Sequence, residues 1–75
     1  MTNEQLRSAL RELNAERDLT VVLVNVHSSH WPGQNMLTIR RAMLIPDEDD
    51  HLIKVTDGKS IYIIDAEKVA WLSIG

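Results

Sequence analysis

Seventy-five residues, 44% of them hydrophobic and 25% charged, describe one small globular unit rather than a disordered tail. Cysteine is absent, which excludes disulfides and thiolate metal sites, and no apolar run approaches the roughly 20 residues of a membrane-spanning helix. A formal net charge of -3 counts against strong nonspecific binding to nucleic acid, which draws on a surplus of Lys and Arg, although it leaves room for a local basic patch.

The first predicted element is an amphipathic helix over residues 3–17. Thr2 and Gln5 have the spacing of a capping box, in which the hydroxyl and the amide side chain each satisfy a backbone N–H of the first turn. Leu6, Leu10 and Leu13 recur at i, i+4 and i+7 with Ala9 beside them, while Arg7, Arg11, Glu12 and Glu16 lie off that stripe. A helix this short is marginal alone, so its leucines need a partner surface. No basic segment followed by an apolar one opens the chain, so no secretory leader is read and a cytoplasmic location is the expectation.

From Leu19 the pattern changes to β. "LTVVLVNV", rich in β-branched residues, predicts a strand over 19–26. Alternation stops at His27, and "HSSHWPGQ" follows as a loop with Pro32-Gly33 as its turn signal. "NMLTIRRAMLI" predicts a second strand over 35–45, long enough to expect a bend or bulge near Arg40–Ala42. Leu37, Ile39, Arg41, Met43 and Ile45 share one parity, apolar except for Arg41. Arg41 is therefore either redirected by a bulge or buried against a carboxylate such as Asp65, and the buried salt bridge is the expectation.

After the polar loop "PDEDD", "HLIKVTD" predicts a third strand over 51–56, and Asp57-Gly58 is a hairpin turn signal. "KSIYIID" supplies a fourth strand, 59–64; "AEKV" makes a short corner; "AWLSI" belongs to a fifth strand, 69–74. One flat sheet of these strands would leave two exposed edges, a hazard for so small a protein. The expected fold is therefore a single mainly β domain over 1–75, with one N-terminal helix and a strongly bent five-stranded antiparallel barrel.

That element order resembles the Sm-like domains, and among them the Hfq type. The likeness covers nearly the whole chain: a leading helix, the strand "TVVLVNV", the long strand "MLTIRRAMLIPD", the hairpin "HLIKVTDGKSIYII" and the closing segment "DAEKVAWLSI". The resemblance implies a homo-oligomeric ring in which Lys59–Ile64 of one subunit pairs with Val69–Ile74 of the next. Ile61, Ile63, Trp71, Leu72 and Ile74 are then the candidate interface residues. These are also the most apolar segments, and an edge rich in Ile invites a partner strand. The resemblance further implies binding of single-stranded RNA. Candidate contacts are Arg40, Arg41, Lys54, Lys68, the loop residues His27, His30 and Trp31, and Tyr62, since single-stranded RNA binds by stacking on aromatics and by phosphate contacts to cations.

Other chemistry is thinly represented. His27 and His30 invite a metal-responsive reading, but a zinc site needs further ligands, and His51 or the Asp47–Asp50 run would have to reach them through the fold. The contiguous "DEDDH" lacks the alternating spacing and distal Glu of an EF-hand and reads as a solvated acidic loop. Ser28, Ser29 and Ser60 have no nucleophile elbow, and the three glycines form no phosphate loop. The expectation is a protein without enzymatic activity or cofactor. Its partners are copies of itself, single-stranded RNA, or another protein that it docks as an interaction or regulatory adaptor, and not a membrane.

Overall fold

The computed structural model describes residues 1–24 and 35–75. His27, His30 and Trp31 lie outside the described residues, as does the end of the first predicted strand.

Helix α1 spans Asn3–Leu10. Its capping box is formed: Gln5 N–H donates to Thr2 Oγ1 at 3.1 Å and Thr2 N–H donates to Gln5 Oε1 at 3.0 Å. Leu6 and Leu10 are buried, and Leu13 follows them into the core from the turn beyond the helix. The predicted helix to residue 17 is corrected to eight residues. Beyond Arg11 the helix tightens into a turn, Glu12 N–H donating to Ala9 O and Leu13 N–H to Leu10 O, and the residues after it are bonded elsewhere. Ala15, in the left-handed region at φ 68°, donates its N–H to Ala42 O, and Arg17 O accepts from Ala42 N–H.

Six strands follow: β1 Leu19–Leu23, β2 Met36–Ile39, β3 Met43–Leu44, β4 Ile53–Thr56, β5 Ile61–Ile64 and β6 Val69–Ile74, with a 3-10 turn at Ala66–Lys68 between the last two. They form two antiparallel three-stranded sheets, ordered β2-β1-β6 and β3-β4-β5. The expected five-stranded closed barrel is therefore corrected: no ladder joins the two sheets among the described residues.

The break falls at Arg40–Ala42, the stretch expected to bend. Arg41 sits at φ 49°, which no strand residue can adopt, and Ala42 gives both its backbone groups to residues 15 and 17 at 3.1 and 2.8 Å. Those are the groups a continuous ladder would have needed. The expected burial of Arg41 against Asp65 is also corrected. Arg41 is exposed, and its backbone N–H donates to Asp18 Oδ1 at 3.1 Å.

A hairpin turns at Asp57-Gly58, but its strands are shorter than expected, Ile53–Thr56 rather than 51–56 and Ile61–Ile64 rather than 59–64, with Thr56 opposite Ile61 and Ile53 opposite Ile64. Asp57 Oδ1 accepts from the N–H groups of Lys59 and Ser60, both at 2.8 Å, and Gly58 takes φ 93°. These two donors hold the Asp57 carboxyl below its ordinary value.

One core unites both sheets and the helix. Leu6 and Leu10 meet Leu19 and Val21 of β1, Ile39 of β2, Ile53 and Val55 of β4, Ile64 of β5 and Val69 of β6. Alternation along each strand sends the other parity outward. No helix among the described residues is long and apolar enough to cross a membrane. Because α1 closes this core with two fully buried leucines, Leu10→Ala is expected to lower the unfolding free energy by about 2–5 kcal/mol in urea denaturation, and a loss below about 1 kcal/mol would contradict the packing described.

Candidate functional site

The outward parity of β5 and β6 carries the most exposed apolar side chains of the closing segment. Ile61, Ile63 and Trp71 are 63, 61 and 54% exposed. Among the described residues both strands are sheet edges: β5 pairs only with β4, and β6 only with β1. Each therefore presents backbone N–H and C=O groups along its open side. A register shift in the β1–β6 ladder between Val22 and Leu23 turns both Ala70 and Trp71 outward before Leu72 returns to the core. Of the five interface candidates, Ile61, Ile63 and Trp71 thus share the outer surface, whereas Leu72 and Ile74 pack against the core of their own chain.

The nucleic-acid candidates are dispersed. Arg40 and Arg41 are exposed in the turn that separates β2 from β3, and neither forms an ion pair with a described residue. Arg17, which the sequence reading passed over, joins them through its backbone bond to Ala42. Nothing in the linear pattern signals that meeting, since it is made by two chain reversals. Tyr62 faces inward and packs against the core. Lys68 is half-buried at the end of the 3-10 turn, where its carbonyl accepts from Val24 N–H at 2.7 Å.

Lys54 is already engaged. Its Nζ donates to Glu48 Oε1 and Asp50 Oδ2, each at 2.7 Å, so the acidic loop folds over this one cation. Asp50 is held below the ordinary 3.8 by the Lys54 ammonium and then by the Leu52 N–H, and Lys54 is raised above 10.5 by Asp50 and then Glu48.

On the other side of that loop, Asp47 meets both His51 Nδ1 at 3.2 Å and Arg7 Nη2 at 3.3 Å. His51 and the acidic run were the further ligands a metal site at His27 and His30 would have needed. Among the described residues no group of three or more His, Cys, Asp or Glu side chains converges to hold an ion.

Comparison with protein-family models, with curated proteins and with solved structures finds no match to this chain. The reading of function therefore rests on the geometry.

The Lys54 cluster shapes the pH response together with Asp57, whose carboxyl is also held below its ordinary value. Asp50, whose folded value is depressed, contributes stability that is complete above its unfolded value near 3.8 and is lost as pH falls through the lower folded value. Lys54, whose folded value is raised, contributes below 10.5 and loses that contribution as pH rises through the higher folded value. Urea midpoints are expected to stay level through neutral pH and to fall on acidification below 3.8. Lys54→Met is expected to make that acid limb shallower, with Asp57 keeping its share, and an acid limb identical in the variant would contradict the assignment.

Proposed function

We propose that this chain is a non-enzymatic interaction module that assembles with copies of itself, β5 of one copy adding antiparallel to β6 of the next. The observation that carries the reading is the coincidence of two open strand edges with the exposed side chains of Ile61, Ile63 and Trp71. An apolar edge of this kind is stabilised when another strand satisfies its backbone groups and covers its side chains.

Charge favours the antiparallel sense. It brings the second copy's Lys68, just ahead of β6, beside Asp65 and Glu67, just beyond β5. The parallel sense would bring that lysine to Lys59 instead, a like-charge pair. Facing then fixes the register. Inward Tyr62 lies opposite the second copy's Leu72, and outward Ile63 opposite its Trp71.

The contact is heterologous, so its repetition closes into a ring when the rotation per subunit returns to the start. The element order that resembles the Sm-like domains supports the same reading, because those assemble through their last two strands. The chain has no cysteine, which makes cross-linking clean. Oxidised Ile63→Cys/Trp71→Cys protein is expected to run as a ladder of linked copies, because directly opposed positions have Cβ atoms about 4.5–5.5 Å apart. Each single variant is expected to give no ladder, and a double variant that stays unlinked would contradict the pairing.

Binding of single-stranded RNA is a second reading, favoured by the meeting of Arg17, Arg40 and Arg41 at one crossing of the chain. The three residues are exposed and form no ion pair with any described residue. Guanidinium–phosphate contacts release counterions, so a gel shift with a short RNA is expected to weaken steeply with salt and to disappear in Arg40→Ala/Arg41→Ala. A shift unaffected by the double substitution would place the contacts elsewhere.

A further inference from the structure

The polar face of α1 borders a cleft that self-association does not use. Glu4, Arg7, Ser8 and the C-cap Arg11 line it on one side and Asp47 and His51 from the loop opposite, outlining a half-open depression of about 530 Å³. Arg7 and Arg11 are four residues apart and so share one helix face.

Arg7 is the deeper of the two, with its side chain only 13% exposed, and its guanidinium is poorly satisfied. Nη2 donates to Leu52 O at 3.3 Å and meets Asp47 Oδ1 at 3.3 Å. Nη1 is buried with no acceptor. Guanidinium–carboxylate bonds ordinarily close to about 2.7–2.9 Å. In this same protein Lys54 reaches 2.7 Å to each of its carboxylates. A buried charged donor left without an acceptor is unfavourable, and the arginine that carries it lines a cleft together with a second arginine. Arg11 is exposed and forms no ion pair with a described residue.

We propose that this cleft binds a small tetrahedral oxyanion of the phosphate class, gripped by the guanidinium groups of Arg7 and Arg11 with the Ser8 hydroxyl as a further donor. Asp47 holds the ligand's place in the free protein. It is half exposed and touches Arg7 and His51 only at 3.2–3.3 Å, the geometry of a weak, displaceable pair. A phosphate dianion brings more charge and more acceptor oxygens than that carboxylate, and its oxygens match the forked donors of arginine. Asp47 turns outward to admit it. Glu4 remains at the rim as an opposing charge and keeps the affinity modest.

The test is an NMR titration of the full ¹⁵N-labelled chain with inorganic phosphate, with methyl phosphate and with acetate. Both phosphates are expected to shift the amides of Ser8, Arg11, Asp47 and His51 along a saturating curve, and acetate to bind at least about tenfold more weakly. Saturation by inorganic phosphate alone identifies free phosphate as the ligand, and saturation by both identifies a phosphate monoester. Arg11→Gln is expected to weaken binding about tenfold, and Asp47→Asn, which removes the competing charge, to tighten it several-fold. Both positions are on the surface and leave the core intact, so neither variant depends on the fold tolerating loss of Arg7. Shifts that never saturate, acetate equal to phosphate, unchanged affinity in Arg11→Gln, or weaker binding in Asp47→Asn would each overturn the proposal.

Discussion

At Arg41 the backbone reverses hand, and three hydrogen bonds hold it there. Asp18 accepts from Arg41 N–H, Arg17 O accepts from Ala42 N–H, and Ala42 O accepts from Ala15 N–H, which is itself left-handed. A left-handed residue other than glycine is disfavoured by about 1–2 kcal/mol, so two of them persist only because the contacts around them agree. The same segment continues to the end of the chain, where Asp18 and Gly75 exchange N–H···O bonds at 3.1 Å in both directions. Residues 15–18 thus form a strap that ties the break between β2 and β3 to the tip of β6. What would have been one long strand becomes two short ones in separate sheets.

That division decides what is left open. Among the described residues each sheet has three strands, and each ends in an edge drawn from the closing segment of the chain: β5 in one sheet, β6 in the other. A domain of this size has little apolar surface to bury, and its core already takes the inward parity of every sheet strand except short β3, which packs at its margin. The outward parity of β5 and β6 would ordinarily be polar. Ile61, Ile63 and Trp71 depart from that rule on adjacent stretches of sequence, joined by a single 3-10 turn. Among the described residues nothing covers them. The proposed self-association would supply a covering surface and satisfy the backbone groups of both edges.

Local chemistry made part of this legible from the residues alone. The capping box at Thr2 and Gln5, the stripe of Leu6 and Leu10, the Asp57-Gly58 turn and the extent of β6 each depend on neighbours a few positions away, and each forms as read. The misreadings have a common cause. Helix α1 stops at Leu10, although its pattern runs on: the chain tightens into a turn, and Ala15 and Arg17 then bond to Ala42 across the fold. Arg41 avoids the core that its parity assigned to it because the chain turns over at that residue. Lys54 looks free in the sequence, yet Glu48 and Asp50 close over it from the preceding loop. The cleft at Arg7 and Arg11 had a partial signal in their four-residue spacing, but its far wall, Asp47 and His51, is brought there by tertiary packing. Local signals carried the elements; the junctions between them, where the charged candidates sit, are set by contacts distant in sequence.

The account depends most on the edges of β5 and β6 meeting those of another copy, and sedimentation equilibrium reads that directly as mass in solution. It expects a single species whose mass is a whole-number multiple of the 8.5 kDa chain and does not change as the protein is diluted toward micromolar concentration. A mass of 8.5 kDa at every concentration up to about millimolar would mean an association free energy no stronger than about −4 kcal/mol, and would contradict it.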